Sequence, residues 1–303
     1  MSGASYHIPV LLHETVDGLA VHEGGTYVDV TFGGGGHTRE ILSRLTEGKV
    51  VAFDRDVDAK ANLLDDTKLI FIGQDFQFIE SALLLKRITQ VDGILADLGI
   101  SSHQIDTPER GFSYRFEAEL DMRMDIRQER TAADILNEAE EEELLRIFWN
   151  YGELKNARKV VRNIISRRIG AKISTTSQLE NILQDCIPPR HRIKFLSQVY
   201  QALRIEVNQE LKALETLLET SLKLLKPSGR LSIISYHSLE DRMVKRFMRS
   251  GNFQGKEEKD LYGNSLSPWK LISRKAIQPD DEEIARNPRA RSARLRIAEK
   301  KNT

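Results

Sequence analysis

Cysteine is nearly absent from this chain of 303 residues, in which Cys186 is the only one. A single cysteine excludes an internal disulfide and any zinc site built from several cysteines. Long apolar runs are also lacking, because no stretch approaches the length needed to cross a bilayer. Residues 1–10 show no basic segment followed by an apolar one, as a secretion signal would. We therefore expect a cytoplasmic protein with no membrane partner.

An excess of charge of either sign is missing too, since 45 basic residues balance 45 acidic ones. Net charge therefore gives no indication of a nucleic-acid partner. Two segments, 155–168 and 286–301, are nevertheless basic. Solvated helix faces or a frayed tail would explain either segment alone. Two such clusters in a neutral chain are equally consistent with a surface that contacts phosphates, for which the candidates are Arg289, Arg291 and Arg294.

Short β-rich runs alternate with helical stretches over the first hundred residues. The predicted strands are 26–30, 49–53, 68–73 and 91–96. This rhythm predicts an α/β protein with parallel strands joined by helical crossovers. Ligands of such sheets bind beyond the carboxyl ends of the strands. Asp29, Asp54 and Asp97 all fall at predicted strand ends, so we expect them to lie near a ligand.

The alternation stops near Thr107, and helical patterns continue to Leu203. The predicted helices of this part are 132–149, 156–169 and 176–186. One long helix is predicted over 195–225, ended by Pro227-Ser228-Gly229. The remaining predicted elements are a buried strand at 231–236, a helix at 239–249 and strands at 270–276 and 294–298. We therefore predict a sheet domain, residues 1–106 and 204–303, interrupted by an all-helical substrate-recognition domain, residues 107–203.

Four glycines, Gly33 to Gly36, follow the first strand and precede the first helix at His37. Glycines at such a point let the backbone turn tightly and approach a ligand closely. Asp54 closes the second strand about 20 residues later, where an acidic residue accepts hydrogen bonds from ribose hydroxyls. No Gly-Lys-Ser/Thr sequence follows the glycines, which excludes a nucleoside-triphosphate loop. The pattern is typical of a nucleotide-type cofactor.

Two cofactor classes fit this turn, and S-adenosylmethionine is favoured over a dinucleotide. A dinucleotide requires Gly-x-Gly-x-x-Gly spacing, and the third glycine is missing when Gly33 and Gly35 are taken as the first two. Asp29 would repel a pyrophosphate but suits the positively charged methionine part of S-adenosylmethionine. Phe76, after the third strand, is a candidate contact for the adenine ring, although a lone phenylalanine is more often a core residue. A dinucleotide-dependent oxidoreductase remains the alternative.

Long motifs along nearly the whole chain resemble those of the MraW/RsmH family. They comprise Tyr6–Leu12, Asp29–His37, Asp97–Gln104, Arg110–Ser113, Leu120–Asp125, Tyr151–Glu153, Gln201–Leu211, His237–Arg242 and Asn287–Ser292. Bacterial enzymes of this family methylate the exocyclic N4 of a cytidine in the decoding region of small-subunit ribosomal RNA. The resemblance implies a class I, Rossmann-like methyltransferase sheet with an inserted helical domain. Its small-molecule cofactor would be S-adenosylmethionine.

Transferred position by position, the cofactor contacts of the family fall on Gly35, Gly36, His37, Asp54, Phe76, Asp97 and Gln104. His103 stands where the family usually has proline, a change expected to loosen the loop that carries Gln104. Gly34 is often a larger residue in relatives, and its replacement should matter little.

A cytosine amino group is a poor nucleophile because its lone pair is delocalised into the ring. An acceptor that binds the amino hydrogens favours attack, and alignment with the methyl donor lowers the barrier further. Asp97 is the candidate acceptor, and it is also a candidate cofactor contact. The Asp97–Ser102 segment lacks the prolines and the aromatic residue of DNA amino-methyltransferases, which argues against a DNA substrate. No cysteine is required, because the attack does not pass through ring carbon 6.

Other residues are candidates for substrate contact. His237 follows the predicted fifth strand and is the second catalytic candidate, by stacking on the target base. Ser238 is expected to cap the next helix, with Asp241 completing a capping box. Phe112, Tyr114 and Arg115 are candidates for holding an extruded base or its neighbours, since flipped bases need aromatic stacking.

Three function classes remain open from the sequence: an RNA cytosine-N4 methyltransferase, a dinucleotide-dependent oxidoreductase and a catalytically idle ribosome-assembly factor that binds RNA. Asp54, Asp97 and the glycine turn favour the methyltransferase, since a binding protein has no need of them. The expected partner is small-subunit ribosomal RNA or the assembled small subunit. We expect no catalytic metal, and a monomer or a homodimer.

Overall fold

The α/β sheet predicted from the sequence is present in the computed structural model of this chain, which describes residues 9–302. Residues 6–8 of the Tyr6–Leu12 motif therefore lie outside the described part. Within it, one sheet contains seven strands. They are β1 Thr26–Asp29, β2 Lys49–Phe53, β3 Leu69–Ile72, β4 Val91–Asp97, β5 Leu225–Ser235, β6 Trp269–Leu271 and β7 Arg294–Lys300.

The strand order across the sheet is β3-β2-β1-β4-β5-β7-β6. Strands β1 to β5 pair in parallel, whereas β7 pairs antiparallel with both β5 and β6. The central strands are buried on both faces, which explains their runs of valine and isoleucine. The chain order reverses between β1 and β4, the position at which open α/β sheets bind ligands. This is the Rossmann-like methyltransferase sheet that was predicted.

The helices of the described chain follow the same alternation in its first part. They are α1 Leu12–Gly18, α2 Gly36–Ser43, α3 Ile79–Leu85, α4 Ser102–Asp106, α5 Ala132–Glu138, α6 Glu141–Arg146, α7 Ala157–Arg168, α8 Thr176–Leu183, α9 Arg192–Asn208, α10 Glu210–Leu224, α11 Ser238–Ser250 and α12 Asp281–Arg286. Short 3-10 turns include Val57–Asn62 and Phe76–Phe78, and a π-helical turn, Ile147–Tyr151, follows α6.

The chain divides into two compact units. One, the sheet unit, contains the residues up to Gly99 and those from Lys212 onward; the other, the helical unit, is Ile100–Leu211. The helical unit extends beyond the predicted 107–203 at both ends. It has its own hydrophobic core, in which Leu136, Phe148 and Leu203 are fully buried.

Four predicted elements differ from the structure. The strand predicted over 270–276 is shorter, because β6 ends at Leu271. The single helix over 132–149 is broken between α5 and α6, and the one over 195–225 is broken between α9 and α10. Gln209, at the second break, has a left-handed φ of 50°. Pro227-Ser228-Gly229 does not separate a helix from a strand, because it lies inside β5. The register of β5 against β4 shifts there, so the extra residues form a bulge.

Candidate active site

Three aspartates follow or end adjacent strands at one edge of the sheet unit. Asp29 is the last residue of β1 and Asp97 the last of β4, while Asp54 comes directly after β2. Strand β1 lies between β2 and β4 and is parallel to both. The carboxyl ends of these strands therefore meet at the same edge, as the sequence predicted.

The glycine turn between β1 and α2 depends on its glycines. Gly33 and Gly35 have left-handed φ angles of 49° and 72°, which side chains disfavour. A Cβ atom added at Gly35 would lie 2.9 Å from the ring of Phe32, and one at Gly36 would collide with Pro9. At Gly33 the nearest atom would be Thr31 O, 3.9 Å away, so the turn leaves space on that side.

Asp29 anchors this turn from within the protein. Its carboxylate accepts hydrogen bonds from the Thr38 hydroxyl at 2.7 Å and from the Thr31 N–H at 3.1 Å. The residue is 0% exposed, and burial raises the pKa of its carboxyl. A fully buried carboxylate cannot touch a ligand. The structure therefore argues against the predicted direct cofactor contact of Asp29 and gives it a role in holding the turn.

Asp54 connects the glycine turn to the end of β2. Its Oδ2 accepts the Gly33 N–H at 2.7 Å, and its Oδ1 accepts the Asp56 N–H at 2.8 Å. Burial raises the pKa of Asp54 to about 6, although both backbone hydrogen bonds lower it. Each carboxylate oxygen retains a second lone pair, so Asp54 is equipped to accept hydroxyl groups of a ribose.

Asp97 is held by groups from three directions. Its Oδ1 accepts the Tyr236 hydroxyl at 2.8 Å, and its backbone N–H donates to the Thr31 hydroxyl at 2.7 Å. Its Oδ2 lies 4.0 Å from Nδ1 of His37. Burial raises the pKa of Asp97 to about 6, against the lowering effects of His37 and Tyr236. Asp97 is therefore a fixed carboxylate that is mostly ionised at neutral pH.

Tyr236 is a site residue that sequence reasoning did not single out. Burial, reinforced by the negative charge of Asp97, raises the pKa of Tyr236 well above its usual 10. The hydroxyl therefore remains protonated and donates to Asp97. The available signal was positional: Tyr236 follows β5, and Asp97 pairs with Ile234 in that strand. Using it required knowing that β5 neighbours β4.

His37 is buried at the start of α2, in agreement with its place beside the glycine turn. Its Nε2 lies 3.1 Å from the carbonyl oxygen of Val10. A carbonyl can only accept, so Nε2 of His37 carries a proton. This leaves Nδ1 toward Asp97.

His237 occupies the capping position at the start of α11 that was predicted for Ser238. It is the N-cap of α11, and its side chain forms a capping box with Glu240. The expectation that Ser238 caps the helix with Asp241 is therefore wrong. Asp241 instead binds Arg296, with Oδ1 2.7 Å from the guanidinium Nε. The His237 side chain is largely buried, with a 9% exposed fraction.

The last two predicted cofactor residues, Phe76 and Gln104, belong to different units of the chain. Phe76 is partly buried against the core of the sheet unit, so the core interpretation describes most of its surface. Gln104 belongs to the helical unit, where it forms the capping box of α4 with Ser101. This box is complete with His103 in place of the family proline, and Gln104 is buried.

The predicted base-holding residues of the helical unit differ in exposure. Phe112 is a core residue that is 7% exposed, so the structure argues against stacking by its ring. Tyr114 is partly buried and packs edge-on against Tyr200, with ring centroids 5.5 Å apart. Arg115 is exposed and remains available for contact.

The three arginines predicted to contact phosphates are exposed in the sheet unit. Arg289 and Arg291 lie in a 3-10 turn just before β7, and Arg294 is the first residue of that strand. Arg294 lies 3.3 Å from the Asp241 carboxylate, with half of its side chain exposed.

Among residues 9–302, no three histidine, cysteine, aspartate or glutamate side chains gather closely enough to hold a metal ion. The described part of the chain also contains no helix that is long and apolar enough to span a membrane.

Comparison with known proteins agrees with the motifs. The model of the MraW methylase family matches residues 4–301. The chain is 57% identical over 296 residues to the ribosomal RNA small subunit methyltransferase H of Flavobacterium johnsoniae, covering 97% of this chain and 98% of that protein. It is 56% identical over 297 residues to the protein of the same name from Cytophaga hutchinsonii, covering 97% and 99%. The glycine turn, the three strand-end aspartates and this agreement along the chain show that the protein belongs to the MraW methylase family.

Proposed function

We propose that this protein transfers a methyl group from S-adenosylmethionine to the exocyclic N4 of a cytidine in the decoding region of small-subunit ribosomal RNA. The observation that carries the proposal is the Asp97 carboxylate, fixed at the end of β4 beside the glycine turn. Membership of a methylase family argues against the oxidoreductase alternative. The names of the relatives supply the RNA as substrate, and the resemblance to the family supplies the atom.

The sheet edge fits S-adenosylmethionine by the chemistry of its donors and acceptors. The turn at Gly33 leaves room where a side chain would otherwise stand, and Asp54 offers carboxylate lone pairs for ribose hydroxyls. His37 and Asp97 complete the set beside the turn. When bound, S-adenosylmethionine supplies a methyl group activated by its positively charged sulfur.

Asp97 is the group of this chain that fits the chemistry of an aromatic amine. An ionised carboxylate accepts hydrogen bonds only, so it suits an amino group that must donate its hydrogens as the nitrogen becomes nucleophilic. Tyr236 occupies Oδ1 and keeps that carboxylate in one orientation. Because its position is fixed in advance, Asp97 stabilises the positive charge that develops on the nitrogen without having to reorganise.

RNA rather than DNA is the proposed nucleic acid, and the helical unit is the proposed substrate-recognition part. Its helix α7 carries the exposed cations Arg158 and Arg162, and Arg115 is exposed elsewhere in the unit. In the sheet unit the corresponding groups are Arg289 and Arg291. Assembled small subunits in the bacterial cytoplasm are the proposed target.

The first test replaces Asp97 with asparagine. Asp97→Asn preserves size and an acceptor oxygen for Tyr236 but removes the negative charge. We expect the single-turnover rate of RNA methylation to fall on the order of a hundredfold, as on loss of one preorganised electrostatic group. Affinity for S-adenosylmethionine, measured by calorimetry, should fall far less. Asp65→Asn, at an exposed position, is the matched control.

A normal single-turnover rate combined with weak S-adenosylmethionine binding would show that Asp97 serves only the cofactor. The methylated atom is tested separately, by mass spectrometry of small-subunit RNA nucleosides from a deletion strain. Retention of N4-methylated cytidine at full level in that strain would contradict the proposed substrate atom. Absence of any methylation by the purified protein would instead favour an idle assembly factor.

A further inference from the structure

A pocket of about 530 Å³ lies in the sheet unit, between α11, β6 and β7. Its apolar lining includes Met248, Trp269, Leu271 and Ile297. Trp269 is buried and packs near Phe247, with ring centroids 6.3 Å apart. None of the residues proposed above to bind the methyl donor lines this pocket, so it is a separate feature of the unit.

Positive charge predominates around the pocket. The lining cations are Lys245, Arg249, Arg274, Arg296 and Lys301, and Glu257 is the one lining carboxylate. Arg296 is bound by Asp241, and Arg249 lies 3.8 Å from Glu257. Neither Lys245 nor Arg274 has an ion-pair partner among residues 9–302. The charge of these two side chains is therefore available to an anion.

Two buried hydrogen-bonding groups of the lining also lack partners. The indole Nε1 of Trp269 and the hydroxyl of Ser273 make no hydrogen bond within the described chain. An indole N–H can only donate, and a buried donor without an acceptor is unfavourable. Both atoms are themselves buried, so the donors that a ligand meets first are the lining cations, which stand beside an apolar surface. Such a lining is complementary to a ligand that carries acceptors and a flat apolar part.

We propose that this pocket binds a nucleotide, with its phosphate held by Arg274 and Lys245 and its base against the apolar lining. Arginine and lysine bind phosphate oxygens strongly, and bases pack on apolar and aromatic side chains. The nucleotide comes either from the RNA substrate, as a residue other than the methylated cytidine, or from free solution. The RNA source rests on the proposed function, whereas the phosphate site does not.

Strand β7 connects this pocket with the exposed arginines already described. Arg294 and Arg296 alternate along the strand and therefore point to the same face. Both contact Asp241, at 3.3 Å and 2.7 Å. A strand of RNA that meets Arg294 would reach the pocket by following this face.

The test uses Trp269 as a reporter. The chain has two tryptophans, so Trp149→Phe leaves Trp269 as the sole one. The full-length variant is titrated with inorganic phosphate, a nucleoside monophosphate and a short single-stranded RNA while Trp269 emission is recorded. We expect saturable changes with the nucleotide and the RNA, and weaker binding of inorganic phosphate, which lacks a base.

Charge reversal identifies the groups that bind. Arg274→Glu and Lys245→Glu should each weaken nucleotide binding about tenfold, the effect of one lost charged hydrogen bond. Each should also lower the salt dependence of RNA binding by about one phosphate contact. Lys86→Glu, at an exposed position outside the pocket, is the matched control and should change neither quantity.

Saturation by RNA but not by a free nucleotide would identify the RNA as the source, and the reverse would identify a free nucleotide. Both results support the site. Absence of a saturable Trp269 response to any probe overturns the proposal, as does equal weakening by Lys86→Glu and Arg274→Glu. If the protein does not methylate RNA but Trp269 still responds to the probes, the proposed function is overturned and the nucleotide site is supported.

Discussion

Tyr236 and Asp97 belong to the ends of neighbouring strands, and their 2.8 Å hydrogen bond couples the two ends. The hydroxyl stabilises the ionised carboxylate and so lowers the pKa of Asp97, although burial raises it overall to about 6. Tyr236 is thus a positioning residue. It sets both the orientation of Asp97 and the pH at which the carboxylate becomes an acceptor.

The pH dependence of methylation follows from this pKa. Protonation of Asp97 replaces an acceptor with a donor, so the single-turnover rate should fall as the pH is lowered through about 6. In Tyr236→Phe the lost hydrogen bond raises the pKa of Asp97, and the acid limb should move upward by about one pH unit. At pH values well above the limb, the variant should retain most of its rate.

Rates measured across the acid limb test this prediction, with Tyr262→Phe as the control. Tyr262 is 90% exposed, and its hydroxyl should be dispensable. A Tyr236→Phe rate that is reduced equally at every pH would show that the hydroxyl only supports the fold of the site. An unchanged profile would show that Tyr236 does not influence Asp97 in the reacting enzyme.

At the scale of single elements, helix α11 allows two roles of His237 to be separated: capping the helix and contacting the target base. The imidazole Nδ1 accepts the Glu240 N–H at 3.4 Å, and the Glu240 carboxylate accepts the Tyr236 N–H at 3.0 Å. His237→Ala removes the cap and should lower the free energy of unfolding by about 1 kcal/mol. His237→Asn restores a capping side chain and should recover that stability. Both are measured by denaturant unfolding.

Activity then separates the two roles of His237. If the imidazole only caps α11, His237→Asn should recover methylation together with stability. If it also contacts the target base, the asparagine variant should be stable but poorly active, because an amide offers no aromatic face. Recovery of stability without activity is therefore the outcome that the proposed catalytic role predicts.

The predictions of single helices over 195–225 and 132–149 were wrong for the same physical reason. In both, a side-chain contact with residues distant in sequence stabilises the break. Apolar residues keep helical spacing through the α9–α10 break, so periodicity alone predicts one helix. The break is fixed by the buried Asn208, whose side chain accepts the Met124 N–H and donates to the Met122 carbonyl, both at 2.7 Å. Met122 and Met124 lie over 80 residues away in sequence, and no local pattern reveals such a contact.

The break between α5 and α6 has a similar cause. The guanidinium of Arg168 donates to the carbonyl of Ala139 at 2.7 Å and to that of Leu136 at 3.3 Å. These carbonyls would otherwise lack partners at the end of α5. The compensating group again comes from a distant residue, so the sequence of α5 and α6 alone favoured continuity.

At the scale of the whole molecule, topology explains which parts of the site were predictable. Strand-end aspartates could be assigned to one edge because parallel strands share their carboxyl edge, whatever their order. The Asp97–Tyr236 contact requires β5 to lie beside β4, and strand order is not visible in a local pattern. The buried state of Asp29 was hidden for a different reason: it depends on how the glycine turn places Thr31 and Thr38 against its carboxylate, and residue types alone do not show that geometry.

The balanced charge of the molecule bears on its substrate. Because 45 basic and 45 acidic residues cancel, long-range attraction to a bare RNA should be weak. Binding must then come from local cations that match phosphates held in a fixed arrangement. We expect assembled small subunits to be methylated at least about tenfold faster than a short hairpin containing the same target, compared under single-turnover conditions at equal salt.

A double variant of α7 connects this preference with the helical unit. Arg158→Glu with Arg162→Glu reverses two exposed charges on one face of that helix, since the residues are four apart. It should lower methylation of the assembled subunit and leave the slow reaction on the hairpin nearly unchanged, because the hairpin presents few phosphates beyond the target. Equal rates of the parent protein on both substrates would contradict recognition of a shaped surface. Equal losses of the variant on both would place these arginines at the target itself rather than at a remote contact.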